Sequence, residues 1–122
     1  MAKLVCFLKR RKGMSFDEFV KYYETRHAPL AAPYMTNARH YTRRYLQPSS
    51  NPTNTVAPAA DFDVITEIWF DNRAALDADM AKLGAPDVAK MIAADEEKVF
   101  DRPATRVFII DHECVSKPAA AE

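Results

Sequence analysis

With two glycines in 122 residues, the chain has almost none of the material from which phosphate-cradling loops are built. It contains no P-loop pattern, no dinucleotide fingerprint and no GxSxG turn to carry a hydrolase nucleophile. Two cysteines, Cys6 and Cys114, are too few for a disulfide framework and lack CxxC spacing. They fit two thiols in a reducing compartment, and a bridge between the first and last strands is the alternative. Charge of one sign is also missing. Lys+Arg and Asp+Glu number 17 each, which removes any general electrostatic reason to expect nucleic acid or an anionic membrane as partner. No apolar run approaches the length of a membrane span, and the run in "MAKLVCFLKRRKG" is too short for a signal peptide. The expectation is a cytoplasmic protein with no nucleic-acid or membrane partner.

What is present is an ordinary globular composition, long enough for one domain with its own core. "KLVCFLKRR" (3–11) reads as a strand. In "MSFDEFVKYYETRH" Ser15 and Glu18 form a capping box, and Met14 with Phe19 a hydrophobic staple. Phe16, Phe19, Val20 and Tyr23 recur at helical spacing, and His27, four residues beyond Tyr23, continues that stripe. Pro29 is expected to end or kink the helix at Ala28. "ARHYTRRYL" (38–46) is a second strand, with Tyr41 on one face and His40 on the other. "QPSSNPTNTVAPAAD" (47–61) is a long polar connection, either a lid or a plain insert.

"FDVITEIWF" (62–70) is a third strand. It sets Phe62, Val64, Thr66, Ile68 and Phe70 against Asp63, Ile65, Glu67 and Trp69. A helix capped by Asp71 or Asn72 and stopped by Gly84 follows, with Leu76, Met80 and Leu83 inward. A second helical piece spans 86–100 and a last strand 105–114. There is no internal repeat. The order β-α-β-β-α-β is the α+β, ferredoxin-like split βαβ arrangement, an antiparallel sheet with both helices on one face. The expected domain is 1–114, with 115–122 a flexible tail. Because the third strand is largely apolar on both sides, the face away from the helices needs a cover, and a second copy in a two-fold dimer is the simplest.

Several residues are candidates for chemistry. His27 can give or take a proton near neutral pH, or it is a satisfied core histidine. Glu67 and Asp63, acidic within an apolar strand, either wall a polar pocket beside Trp69 or bridge to Arg43, Arg44 or Arg106. Tyr41 can donate a hydrogen bond into a pocket, and His40, Tyr22, Tyr34 and Met35 are further pocket-lining candidates, with packing the alternative for each. His27, His40, Glu67 and His112 have no recognised metal-ligand spacing, so no metal is expected. RNA-binding RRM domains share the topology. They stack bases on a basic, glycine-rich third strand, however, whereas here that strand is acidic and has no glycine.

The "SFDEFVKYYETRHAPLA" stretch, followed by "RHYTRRY", "FDVITEIWFDN" and a closing apolar strand, resembles the EthD family of dimeric α+β barrel proteins over roughly residues 3–112. The resemblance implies a homodimer whose sheets close a barrel, with a pocket in each subunit between sheet and helices. It matches His27 to the family's helix-end histidine, Asp63, Glu67 and Trp69 to its third-strand motif, and Tyr41 to a second-strand aromatic. It also implies chemistry generally free of an organic cofactor. The expected function is a small enzyme using acid–base chemistry of isomerase, decarboxylase or dehydratase type on a lactone, keto acid or polyketide-like aromatic. His27 is the proton shuttle, Glu67 its orienting group, and Tyr41, Trp69, Asp63, His40 and Tyr22 bind substrate. The alternatives are a non-enzymatic binder of a hydrophobic metabolite and an oxidoreductase-associated, haem-binding EthD protein.

Overall fold

Alternation of apolar residues with period two places four strands in one antiparallel sheet: β1 (Ala2–Leu8), β2 (Ala38–Tyr45), β3 (Val64–Phe70) and β4 (Arg106–Ile110). They are seen in a computed structural model that describes residues 1–49, 51–53 and 60–119. The strand order is β2-β3-β1-β4, which makes the chain an α+β protein of ferredoxin-like topology. Of the 47–61 connection expected as a lid or insert, residues 50 and 54–59 lie outside the described residues. Cys6 and Cys114 are both free thiols.

Ser15 starts helix α1 (Phe16–Tyr22), its Oγ accepting the Glu18 N–H at 3.1 Å as the capping box requires. The helix does not stop at Pro29. It widens into a π turn over Tyr23–His27, closed by a hydrogen bond from the Ala28 N–H to the Tyr23 carbonyl, and runs on as α2 (Ala28–Ala31). The proline sits at the start of α2, where a missing N–H and a helical φ do no harm. The widened turn adapts locally: the Lys21 carbonyl takes the Thr25 hydroxyl at 2.6 Å. Helix α3 (Arg73–Leu83) is capped by the Asn72 side chain and followed by Gly84, and α4 (Pro86–Val99) begins with proline in its first turn.

Both α3 and the α1–π–α2 unit pack on one face of the sheet, where Phe19, Tyr23, Val64, Phe70, Leu76 and Val99 are fully enclosed. Each such side chain stabilises the fold by about 1.5–3 kcal/mol relative to exposure. Asp79 is buried within the α3 stripe, which sequence reading did not foresee. Its two oxygens accept the Asn37 backbone N–H at 3.0 Å and the Asn37 Nδ2 at 2.8 Å, tying α3 to the start of β2. Among the described residues no helix covers the opposite sheet face. Edge strand β4 is exposed on both sides, with Val107 at 54%, Phe108 at 53% and Ile109 at 41%. No helix among the described residues is long and apolar enough to cross a membrane.

Candidate functional site

The π turn arranges the first part of the site. In an α-helix, residues five apart diverge around the axis, whereas a turn closed by i→i+5 bonds stacks them. Tyr22 and His27 are five apart, and both reach the same carboxylate on α4. Asp95 Oδ1 accepts the Tyr22 hydroxyl at 2.6 Å, and Asp95 Oδ2 meets His27 Nδ1 at 2.8 Å. Burial pushes the Asp95 carboxyl up, but the hydrogen bonds from Tyr22 and His27 and the nearby His27 and Lys98 charges outweigh it and hold it below its ordinary value. Asp95 is therefore ionised and an acceptor only, so His27 Nδ1 bears a proton and donates it to Asp95 Oδ2. Nε2 has no hydrogen-bond partner among the described residues. The ring is 5% exposed and wedged edge-on against Tyr23 and Phe100, with centroids 5.6 and 5.1 Å away.

His27 lines a cavity of about 160 Å³ between the sheet and the helices, together with Tyr41, Thr66, Met35, Ile92 and Phe100. The lining is mainly apolar, as small-molecule sites are, with a few convergent polar groups. Tyr23 is one, its hydroxyl 2.6 Å from Thr66 Oγ1. Burial pushes the Tyr23 and Tyr41 phenols up, so both stay protonated. Arg43 braces this cluster from outside. Its guanidinium lies 4.6 Å from the Tyr41 ring and grips Glu24 through two hydrogen bonds of 2.6 and 3.0 Å. Burial, with a smaller push from the Glu96 charge, raises the Cys6 thiol to about 12, which makes it an apolar wall and not a nucleophile.

The remaining candidates lie elsewhere. Glu67, Trp69 and His40 stand on the open face, with the whole sheet between them and His27. Glu67 pairs with Arg44, and Trp69 is flanked by the His40 ring at 4.8 Å and the Lys3 ammonium at 4.0 Å. Glu67 therefore does not orient His27 within its own chain, because alternation along β3 turns it away. Asp95 does that work. Asp63 sits at the start of β3 and accepts the Arg10 backbone N–H at 2.8 Å, which fastens the end of β1. Tyr22 reaches the site only through Asp95. Tyr34 is half-buried in the turn before β2, and Met35 joins the cavity wall. Asp95 was missed because it stands in the run "ADEEK", which reads as a solvated helix face. The available signal was its place three residues after Ile92 and four before Val99, on the inward stripe. Among the described residues no group of three or more His, Cys, Asp or Glu side chains is placed to hold a metal ion.

Comparison with known proteins agrees with the fold. An EthD family protein from Bacillus halodurans superposes with a TM-score of 0.61 at 18% identity, covering 93% of this chain and 99% of that one. An EthD-like protein from Ralstonia eutropha gives 0.61 at 22% identity over 97% of this chain and 95% of that one. A protein from Bacteroides fragilis, described as dimeric with a ferredoxin-like fold, gives 0.55 at 12% identity over 91% and 95%. No curated protein matches the chain. The EthD domain model matches residues 11–103, which span the helix with His27, most of the cavity wall and Asp95, and the chain therefore belongs to the EthD family.

Proposed function

We propose that the cavity is the active site of a small acid–base enzyme that works without an organic cofactor, with His27 as its proton shuttle. The observation that carries this reading is the Tyr22–Asp95–His27 chain. An ionised carboxylate fixes the imidazole by Nδ1 and leaves Nε2, the basic nitrogen of that tautomer, beside an apolar cavity. His27 Nε2 takes a proton from a carbon activated by a neighbouring carbonyl, and Asp95 stabilises the imidazolium that forms. The Tyr41 hydroxyl, on the far wall, donates to the substrate oxygen on which negative charge gathers. Returning the proton to another carbon gives isomerisation, and giving it to a leaving hydroxyl gives dehydration. Protonating the carbanion left after loss of carbon dioxide completes decarboxylation. Lactones, keto acids and polyketide-like aromatics all present such a carbon.

The chain is also proposed to act as a homodimer, the two open sheet faces meeting to close a barrel. Phe108, exposed on that face, supports this, as does the dimeric description of the Bacteroides fragilis protein.

Deuterium incorporation from D2O into a panel of these three carbon-acid classes, read by mass spectrometry, tests the proton shuttle. His27→Ala is expected to lower exchange by about 10²-fold or more while circular dichroism and sedimentation stay those of the native protein. Exchange undiminished in a folded His27→Ala variant overturns the reading, as does failure of that variant to fold with a polar, isosteric His27→Asn also inactive only through unfolding. A chain that binds a panel member and returns it undeuterated is a carrier.

A further inference from the structure

The cavity does not end at its apolar walls. Glu96 and Thr105 line it, and the same two residues line an outer hollow of about 410 Å³ whose other walls are Glu97, Arg102 and Pro103. Glu96 and Thr105 therefore form a wall common to the two spaces. Glu96 follows Asp95 on α4, so consecutive carboxylates have separate duties. Asp95 is spent on His27 and Tyr22, and Glu96 stands in the shared wall with its side chain partly open. The outer hollow carries two carboxylates against one guanidinium. Arg102 is claimed first by Glu97, through Nη1 at 3.0 Å, and lies 3.5 Å from Glu96 through Nε. Arg106, next to this wall, places its guanidinium on the Pro103 and Thr105 carbonyl oxygens at 3.1 and 2.9 Å and does not line the hollow.

We propose that the outer hollow is the entrance to the cavity and that Glu96, in the shared wall, is a specificity-determining residue that accepts a hydroxyl hydrogen bond from a neutral, ring-bearing phenol or enol and turns away a carboxylate of the same shape. This rests on the cavity being the substrate site. The physical basis is charge. A phenolic O–H donates to an ionised carboxylate in a charge-assisted bond, the stronger kind. A substrate carboxylate at the same place meets like charge and loses its water with nothing to replace it. The Arg102 guanidinium, balanced by Glu96 and Glu97 together, has no unpaired charge to attract an anion. Among the classes open to the His27 chemistry, hydroxylated aromatics and enolic lactones are selected over free keto acids.

The test uses 2-naphthol and 2-naphthoate, matched in ring size and differing in the group offered to Glu96, with binding followed by ligand fluorescence. The native chain is expected to bind 2-naphthol at least about tenfold more tightly than 2-naphthoate. Glu96→Gln is expected to weaken the naphthol, strengthen the naphthoate and shrink the ratio to about twofold or less. Ile92→Trp, which fills the cavity wall, is expected to abolish both. Equal binding of the two probes, or a ratio unmoved by Glu96→Gln, with both blocked by Ile92→Trp, overturns the role of Glu96 and leaves the cavity reading standing. Binding of neither probe, or binding indifferent to Ile92→Trp, removes the cavity as a site for ring-bearing molecules and the Glu96 proposal with it.

Discussion

The two faces of the sheet hold similar chemistry and use it in opposite ways. On the helix face, His27, Asp95, Tyr22, Tyr23 and Tyr41 are buried or half-buried, and their hydrogen bonds converge around a cavity. On the open face, His40, Glu67, Trp69, Lys3 and Arg44 offer the same kinds of group, a histidine, a carboxylate and an aromatic, but pair across the surface without enclosing anything. The difference lies in what stands above each face. Helices exclude water, and exclusion turns a histidine–carboxylate pair into a fixed, strong arrangement, whereas on an open face the same pair is screened. Residue type alone does not make a site; the covering layer does.

That contrast can be broken most sharply by deleting one phenylalanine from each face. Phe70→Ala, at a fully buried position beneath α3, is expected to cost about 3–5 kcal/mol in denaturant unfolding. Phe108→Ala, at a side chain 53% exposed, is expected to change the stability measured at low protein concentration by less than about 1 kcal/mol while weakening self-association in sedimentation. Similar costs for the two would mean that the open face is already covered within one chain.

A subtler division separates the carboxylates. Asp95→Asn is expected to destabilise by about 1.5–3 kcal/mol, because His27 and Tyr22 lose a charged acceptor. Glu67→Gln, in a surface pair with Arg44, should stay within about 1 kcal/mol. The pH dependence follows the same line. Asp95 is held below its unfolded value, so its contribution is complete above the ordinary carboxylate range and is lost as pH falls through the lowered folded value. The stability gap between the native chain and Asp95→Asn should therefore shrink on acidification, as read from unfolding titrations at successive pH values. A gap independent of pH would mean that Asp95 does not carry the charge assigned to it.

The mildest comparison is between the thiols. Cys114 is exposed, while Cys6 is raised to about 12 by burial against the cavity wall. Maleimide at neutral pH should label one cysteine per folded chain, mapped to Cys114 by peptide mass spectrometry, and both after unfolding.

Much of this architecture is legible in the residues themselves. Ser15, Asn72 and Gly84 mark helix ends by local chemistry, and the 3.6-residue stripe from Phe19 through Tyr23 points His27 inward. The strand order follows from the alternation of elements. Four things are not legible. Period-two alternation in β3 separates Glu67 from Thr66 but does not say which face the helices cover, so Glu67 reads as a partner for His27 when it is its opposite. The π turn is hidden because Pro29 signals an interruption without specifying how the backbone absorbs it. Asp95 is hidden because its partners stand 73 and 68 residues away and its neighbours are acidic. Asp79 is hidden in the same way among the polar residues of α3.

The chain's three histidines fall in three places: His27 in the cavity, His40 on the open face and His112 beyond β4. Long-range proton–nitrogen NMR of the imidazoles therefore tests directly which face works. In the free protein His27 should be the Nδ1–H tautomer, with its proton shifted downfield by Asp95. Added 2-naphthol should move the His27 nitrogens and leave those of His40 and His112 in place. A naphthol response at His40 with His27 unmoved would put the working surface on the open face and contradict the account.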